Sequence, residues 1–265
     1  MIQLEFANHI VSIVKQDPQI LGIAAAGSWI GNNMDEFSDI DLIVVSNRKI
    51  SHKEEMFTFA EKFGHLLSYF TGEHVGESRL LICLYADPFL HVDFKFLNAD
   101  EFGLMIEKPA ILFDRTGILK EIQESAEPKW PFEGYQWIED RFWVWIHYLI
   151  QKLARGEYFE VLDGMAFLRR VVLAPMVRIR NGLLPKGIRR IEMDINADEL
   201  DLLKLTLSEY DAASLFTAIN NAASFYTSLR TELYEESVLL RKEAEEMVMD
   251  YVSVIGHQFI QDSGR

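Results

Sequence analysis

Gly27-Ser28-Trp29-Ile30-Gly31-Asn32-Asn33-Met34-Asp35-Glu36-Phe37-Ser38-Asp39-Ile40-Asp41-Leu42-Ile43-Val44-Val45 runs from a turn of small residues into an apolar strand headed by carboxylates. Asp39 and Asp41 are two apart, and side chains two apart on a strand face the same way. Two carboxylates side by side repel unless a cation separates them, and a hard divalent ion such as Mg²⁺ takes oxygen ligands. Just upstream, Gly27-Ser28 closes a second apolar run, residues 20–26. Backbone N–H groups and a hydroxyl at such a turn suit an anion. Metal carboxylates facing a phosphate turn point to phosphoryl or nucleotidyl chemistry.

Outward from this stretch the chain alternates helix and strand. Ile2, Phe6, Ile10, Ile13 and Val14 form a helical stripe over residues 2–16, which Asp17-Pro18 ends. Residues 20–26 and 40–45 read as strands. A helix capped by Ser51 is expected to reach Phe70, and residues 71–78, with Gly72 and Gly76, to form a loop. Residues 79–85 and 89–97 read as the third and fourth strands, joined by a turn at Asp87-Pro88. In the fourth, Val92, Phe94 and Phe96 share one face, and His91, Asp93 and Lys95 share the other. Cys83 reads as a small buried hydrophobe. A short fifth strand is expected at 110–113, with Asp114-Arg115-Thr116-Gly117 leading into a short helix.

Pro128, Pro131 and Gly134 punctuate residues 125–134, and the pattern then changes. Only helices follow: 135–155; 157–181, bent at Pro175; 198–207; 212–234; and a helical tail from 235 to about 257. A loop at 182–190 interrupts them. Strands with helices first and helices alone afterwards predict an α+β fold. It would comprise an α/β domain with a mixed sheet over residues 1–127 and an all-helical domain over 128–265.

The formal net charge of −15 over 265 residues leaves no basic footprint, which argues against binding a nucleic acid backbone. One cysteine excludes an intrachain disulfide and a cysteine-built metal site, in keeping with a reducing cytoplasm. No basic n-region precedes a long apolar core, and no apolar run is long enough to cross a bilayer. The expectation is a cytoplasmic protein without membrane or nucleic acid partners, a monomer or a homodimer.

Val92-Asp93-Phe94 repeats the form of Ile40-Asp41-Leu42. If the two strands are neighbours, Asp93 lies beside Asp39 and Asp41, and three carboxylates can hold two Mg²⁺ ions for an in-line displacement. Gly-Ser, ten residues, Asp-x-Asp and a later apolar-Asp-apolar strand resemble the nucleotidyltransferase superfamily that includes DNA polymerase β. An α/β domain followed by helices is similar to its antibiotic branch, the aminoglycoside and lincosamide nucleotidyltransferases. The motifs cover about residues 20–97. A weaker likeness reaches 98–175 through Phe113-Asp114-Arg115-Thr116-Gly117 and Arg155-Gly156-Glu157.

The resemblance implies that Gly27 and Ser28 hold the triphosphate of ATP or another nucleotide. It implies that Asp39 and Asp41 bind both Mg²⁺ ions, and that Asp93 binds the catalytic one and accepts the proton of an acceptor hydroxyl. The product would be a nucleotidylated, usually adenylated, small molecule such as an aminoglycoside- or lincosamide-type antibiotic, with pyrophosphate leaving. Many relatives carry Arg or Lys before the glycine that follows Gly-Ser, where this chain has Ile30. Arg48, Arg79, Lys95 or Lys152 would then supply the positive charge. Glu139, Asp140 and Glu157 stand at helix starts, either as acids serving the reaction or as complements to helix N-termini. Trp137, Trp143, Trp145 and Tyr148 suit either core or a stacking surface. Arg169, Arg170, Arg178, Arg180, Arg189 and Arg190 read as helix-surface or loop charges, with a phosphate contact by one of them the alternative. Two other readings stay open: a non-catalytic nucleotide-binding or regulatory protein on this scaffold, and a transferase acting on a protein.

Overall fold

The computed structural model describes residues 1–262. The chain divides into two compact units, Met1–Lys129 and a second that starts at Trp130. The first is built on a six-stranded mixed sheet of order β3-β4-β5-β2-β1-β6. Its strands are β1 (Ile20–Ala25), β2 (Ile40–Ser46), β3 (Leu66–Gly72), β4 (Glu77–Ala86), β5 (Phe89–Leu97) and β6 (Ala110–Asp114). All neighbours are antiparallel except β2 and β5.

Helices α1 (Ile2–Val14) and α2 (Lys53–Ala60) cover one face of the sheet. Phe6, Ile10 and Val14 of α1 and Met56 and Phe59 of α2 pack there against Leu42, Val44, Val92, Phe94 and Phe96. The short α3 (Ala99–Phe102) and α4 (Ile118–Ser125) lie on the other face at the β1–β6 end, where Phe102 and Leu119 meet Ala24 and Val45. Cys83 is buried, as expected, and burial pushes its thiol up to about 12. The Asp114–Gly117 motif is structural. Arg115 donates to the carbonyls of Ile20, Lys15 and Asp17, tying the end of α1 to the start of β1, and Asp114 accepts the N–H of Gly117.

The structure corrects the expected helix from Ser51 to Phe70. Helix α2 starts after His52 and ends at Ala60, a 3₁₀ turn follows over Glu61–Phe63, and β3 occupies Leu66–Gly72. Gly64, at φ 151°, breaks the helix. Beyond it the aromatic and β-branched residues of Leu66–Gly72 pair with β4. The loop expected over 71–78 shrinks to a 3₁₀ turn at Glu73–Val75. The other expected strands stand, and Asp87-Pro88 joins β4 to β5.

The second unit is helical: α5 (Tyr135–Ala154), α6 (Tyr158–Leu168), α7 (Ala174–Arg180), α8 (Ile191–Asp194), α9 (Ala197–Lys204), α10 (Ala212–Leu233) and α11 (Lys242–Asp262). A π-helical turn over Arg169–Leu173 joins α6 to α7. It widens the helix just before Pro175, which has no N–H to give an α-helical bond. The tail helix starts at Lys242 rather than at 235. Residues 235–241 are drawn onto α5 instead: Gln136 brackets both backbone groups of Leu239, and Glu139 accepts the N–H of Arg241. Arg178, expected at the surface, is buried and donates to the carbonyls of Gly187 and Arg189 and to Asp194, pinning the 182–190 loop. No described helix is long and apolar enough to cross a membrane.

Candidate active site

Parallel pairing of β2 and β5 sets Asp41 directly opposite Asp93. Ile40, Leu42 and Val44 enter the core from β2, and Val92, Phe94 and Phe96 enter it from β5. Alternation therefore turns both carboxylates to the opposite face. Antiparallel pairing of β1 with β2 then brings the end of β1 alongside, and the Ala26 N–H donates to the Asp41 carbonyl at 2.9 Å. Gly27 follows with φ +59°, and a Cβ built on it would lie 1.9 Å from Asp41 Oδ2. The turn continues as 3₁₀ helix over Gly27–Asn32, broken where Ile30 is extended and Gly31 takes φ 76°.

Asp39 stands one residue before β2 begins and is exposed. It is thus a loop residue, placed by its own backbone rather than by strand alternation with Asp41. It still acts on Asp93. Burial raises the Asp93 carboxyl above its usual range, the His91 imidazole opposes that rise, and the like charge of Asp39 adds to it. His91 Nε2 stands 2.8 Å from Asp93 Oδ1, so one carboxylate oxygen is engaged. Lys95, two residues along the same face, donates to Glu77 at 3.0 Å.

The donor set is all oxygen, negatively charged and partly desolvated, which suits a hard divalent cation. Asp41 and Asp93 are in register, and the missing Cβ at Gly27 leaves room for the Asp41 carboxylate against the turn. The acids do not close a cage of their own: among the described residues no group of three or more His, Cys, Asp or Glu side chains has metal-holding geometry. Mg²⁺ is ordinarily held by one or two carboxylates, with phosphate and water oxygens filling the remaining positions. The residues fit an ion held in that way.

The other sequence candidates have partners of their own. Arg48 lies beyond the far end of β2 from Asp41 and bonds Gln19 and Glu55. Arg79 makes a two-pronged pair with Glu101, both contacts at 2.7 Å. Lys152 bonds Glu157, which also pairs with Arg155. Every nominated cation is therefore engaged by a carboxylate, and Lys95 alone shares the Asp93 face of β5. Glu139 is buried and accepts Tyr226 Oη at 2.5 Å, Arg230 at 3.3 Å and the Arg241 N–H at 2.8 Å. Asp140 pairs with Arg241 at the surface. Trp143 belongs to the helical core, with Trp137 and Trp145 packed against it, while Tyr148 donates to Glu160 at 2.7 Å.

Sequence reasoning missed Gln3, whose Nε2 lies 3.1, 3.3 and 3.1 Å from the carbonyls of Asp35, Glu36 and Ser38. Its signal is a polar residue on the buried stripe of α1, three before Phe6 and seven before Ile10.

Residues 2–255 match the family model of streptomycin adenylyltransferase. The chain belongs to the streptomycin adenylyltransferase family. Membership makes it an adenylyltransferase, an enzyme that draws on a nucleoside triphosphate. Among solved structures it is similar to an aminoglycoside 6-adenyltransferase from Bacillus subtilis, at 16% identity and a TM-score of 0.41 over 96% of this chain and 98% of that one. A nucleotidyltransferase-like protein from Exiguobacterium sibiricum matches at 11% identity and a TM-score of 0.36, over 99% and 92% of the two chains. No curated protein matches the chain.

Proposed function

We propose that this adenylyltransferase moves AMP from ATP to a hydroxyl of a cationic small molecule of the aminoglycoside class, releasing pyrophosphate. The observation that carries the reading is the register of β2 and β5, which sets Asp41 opposite Asp93 on one face of the sheet beside the Gly27 turn. Asp39, Asp41 and Asp93 would hold Mg²⁺, which when bound offsets charge on the phosphates and on the attacking oxygen. Gly27 and Ser28 hold the triphosphate through backbone N–H groups and the Ser28 hydroxyl. Lys95 reaches the phosphates once it leaves Glu77, an exposed pair that costs little to open.

Asp93 receives the proton of the acceptor hydroxyl. His91 engages Oδ1 at 2.8 Å and so helps to fix the carboxyl's orientation. An acceptor bearing ammonium groups suits an enzyme of formal charge −15, because the field favours cation approach.

The test is product mass. Purified protein is incubated with ATP, Mg²⁺ and a panel containing streptomycin, other aminoglycosides and a lincosamide. One AMP added to a panel member by the wild type, and none by Asp93→Asn, is the expected result. An unmodified panel together with adenylated protein would replace the acceptor with a polypeptide, and no transfer at all would overturn the reading.

A further inference from the structure

Gln3 is 1% exposed, on a helix whose other buried residues are all apolar. Its Nε2 is shared among three carbonyls of one loop, those of Asp35, Glu36 and Ser38. The last of these belongs to the peptide that carries the N–H of Asp39, so the clamp fixes the plane from which Asp39 departs. The loop is also closed on itself. Ser38 Oγ accepts the Asp35 N–H at 3.0 Å, and Asp35 Oδ1 accepts the Phe37 N–H at 3.0 Å.

Gln3 Oε1, by contrast, is buried with no hydrogen-bond partner among the described residues. A buried acceptor left unpaired is destabilising, and a methionine of similar length would escape that cost. The amide is therefore poorly explained as a core residue and well explained by its donors. Asp39 lies outside β2, so no ladder hydrogen bond of that strand sets its direction. Its approach to Asp93 depends on the loop that Gln3 holds.

We infer that Gln3 is a positioning residue: by clamping the 35–38 loop it holds Asp39 toward Asp93 and so preorganises the carboxylates for a divalent cation. The inference rests on the proposed role of Asp39. Partners that orient metal ligands are worth about 10-fold or more in metal affinity, and Gln3 acts here through the backbone of one.

The experiment compares wild type, Gln3→Met, Asp39→Asn and Ala7→Gly, all with an unmodified N-terminus. Ala7 is a buried residue of the same helix, with no polar side-chain group to bond the loop. Binding of a non-hydrolysable ATP analogue is measured by calorimetry over a Mg²⁺ series, thermal melting is recorded, and turnover is measured with the accepted substrate. For Gln3→Met the expected result is an about 10-fold rise in the Mg²⁺ needed for half-maximal nucleotide binding, with a fall in kcat and little change in acceptor KM. Ala7→Gly lowers the melting temperature but leaves the Mg²⁺ dependence alone. If Gln3→Met does not fold, Gln3→Asn keeps an amide on the helix but draws it one methylene away from the loop, and it carries the same expectation. If Asp39→Asn weakens Mg²⁺-dependent binding while the Gln3 variants do not, Gln3 is only structural and the inference falls. A wild type without Mg²⁺-dependent binding overturns the site reading first, and the inference with it.

Discussion

The carboxylate of Asp41 fills the space where residue 27 would carry a side chain: a Cβ on Gly27 would meet Asp41 Oδ2 at 1.9 Å. The two halves of the motif are thereby one object. The phosphate turn cannot change its side chain without moving a carboxylate, and Gly27 is also held at φ +59°, where a Cβ is strained in any case.

Gly27→Ala therefore carries two costs. Gly76, at φ +78° with nothing within 4 Å of a built Cβ, isolates one of them. Gly76→Ala should lose about 1–2 kcal/mol of stability from backbone strain alone and keep full kcat/KM. Gly27→Ala should lose that much stability and also about 100-fold or more in kcat/KM, the scale of an ångström-level displacement of a reacting group. Thermal melting and steady-state kinetics on the pair separate the two costs. Equal kinetics in both variants would mean that the Asp41 position does not matter.

Cys83 gives a test of the sheet itself. It sits on β4 opposite Val92, 1% exposed, with its thiol pushed up to about 12 by burial. Thiolate is the reactive form, so a disulfide-exchange reagent at pH 8 should label native protein on the timescale of global opening and label unfolded protein at once. Fast labelling of the native protein would contradict the placement of β4 in the core.

The Arg79–Glu101 pair predicts a pH dependence. Hydrogen bonding to Arg79, with a smaller contribution from the Asn98 backbone, holds Glu101 below its ordinary value of 4.5. A depressed carboxyl stabilises the fold above the unfolded value and loses that contribution as pH falls through the folded one. Glu101→Gln keeps an acceptor for the capping box at the start of α3 but forfeits the ion pair. Wild type should exceed the variant by up to about 1 kcal/mol at pH 7, and the gap should close as pH drops below 4.5. Urea melts across pH 7 to 3 measure it. A gap that stays constant would assign the stabilisation to something other than this charge.

What the sequence made legible was local. Alternation over Phe89–Leu97 put Asp93 and Lys95 on one face and Phe94 and Phe96 on the other, and the ten residues between Ser28 and Asp39 identified the turn and strand. Strand β3 was hidden because Phe59, Phe63 and Leu66 prolong an apolar helical rhythm, and Gly64 alone marks the break. Asp39 lies one residue outside its strand, after a loop bonded by Gln3, 36 positions earlier. Arg178 was assigned to the surface because a sequence does not reveal that a loop will fold back over a guanidinium. The misses at Asp39 and Arg178 are contacts between residues whose spacing carries no period.

Glu139 is the sharpest such case and yields a discriminating prediction. As an acid at a helix start it was eligible for chemistry, but its partners Tyr226, Arg230 and Arg241 lie 87, 91 and 102 residues away and enclose it. Arg230 also reaches Glu245, so the network ties α5, α10 and α11 together. Removing one member of a buried, hydrogen-bonded charge pair typically costs about 3–5 kcal/mol, because the partner is left uncompensated. Glu139→Ala should thus lower the unfolding midpoint steeply, while the fraction that stays folded keeps the wild-type kcat. Asp93→Asn should do the reverse, leaving the midpoint near or above wild type, since burial disfavours its charged form, and abolishing transfer. Denaturant unfolding and active-site-normalised kinetics on both variants measure the contrast. A stable but inactive Glu139→Gln would move the proton acceptor from Asp93 to the helical unit.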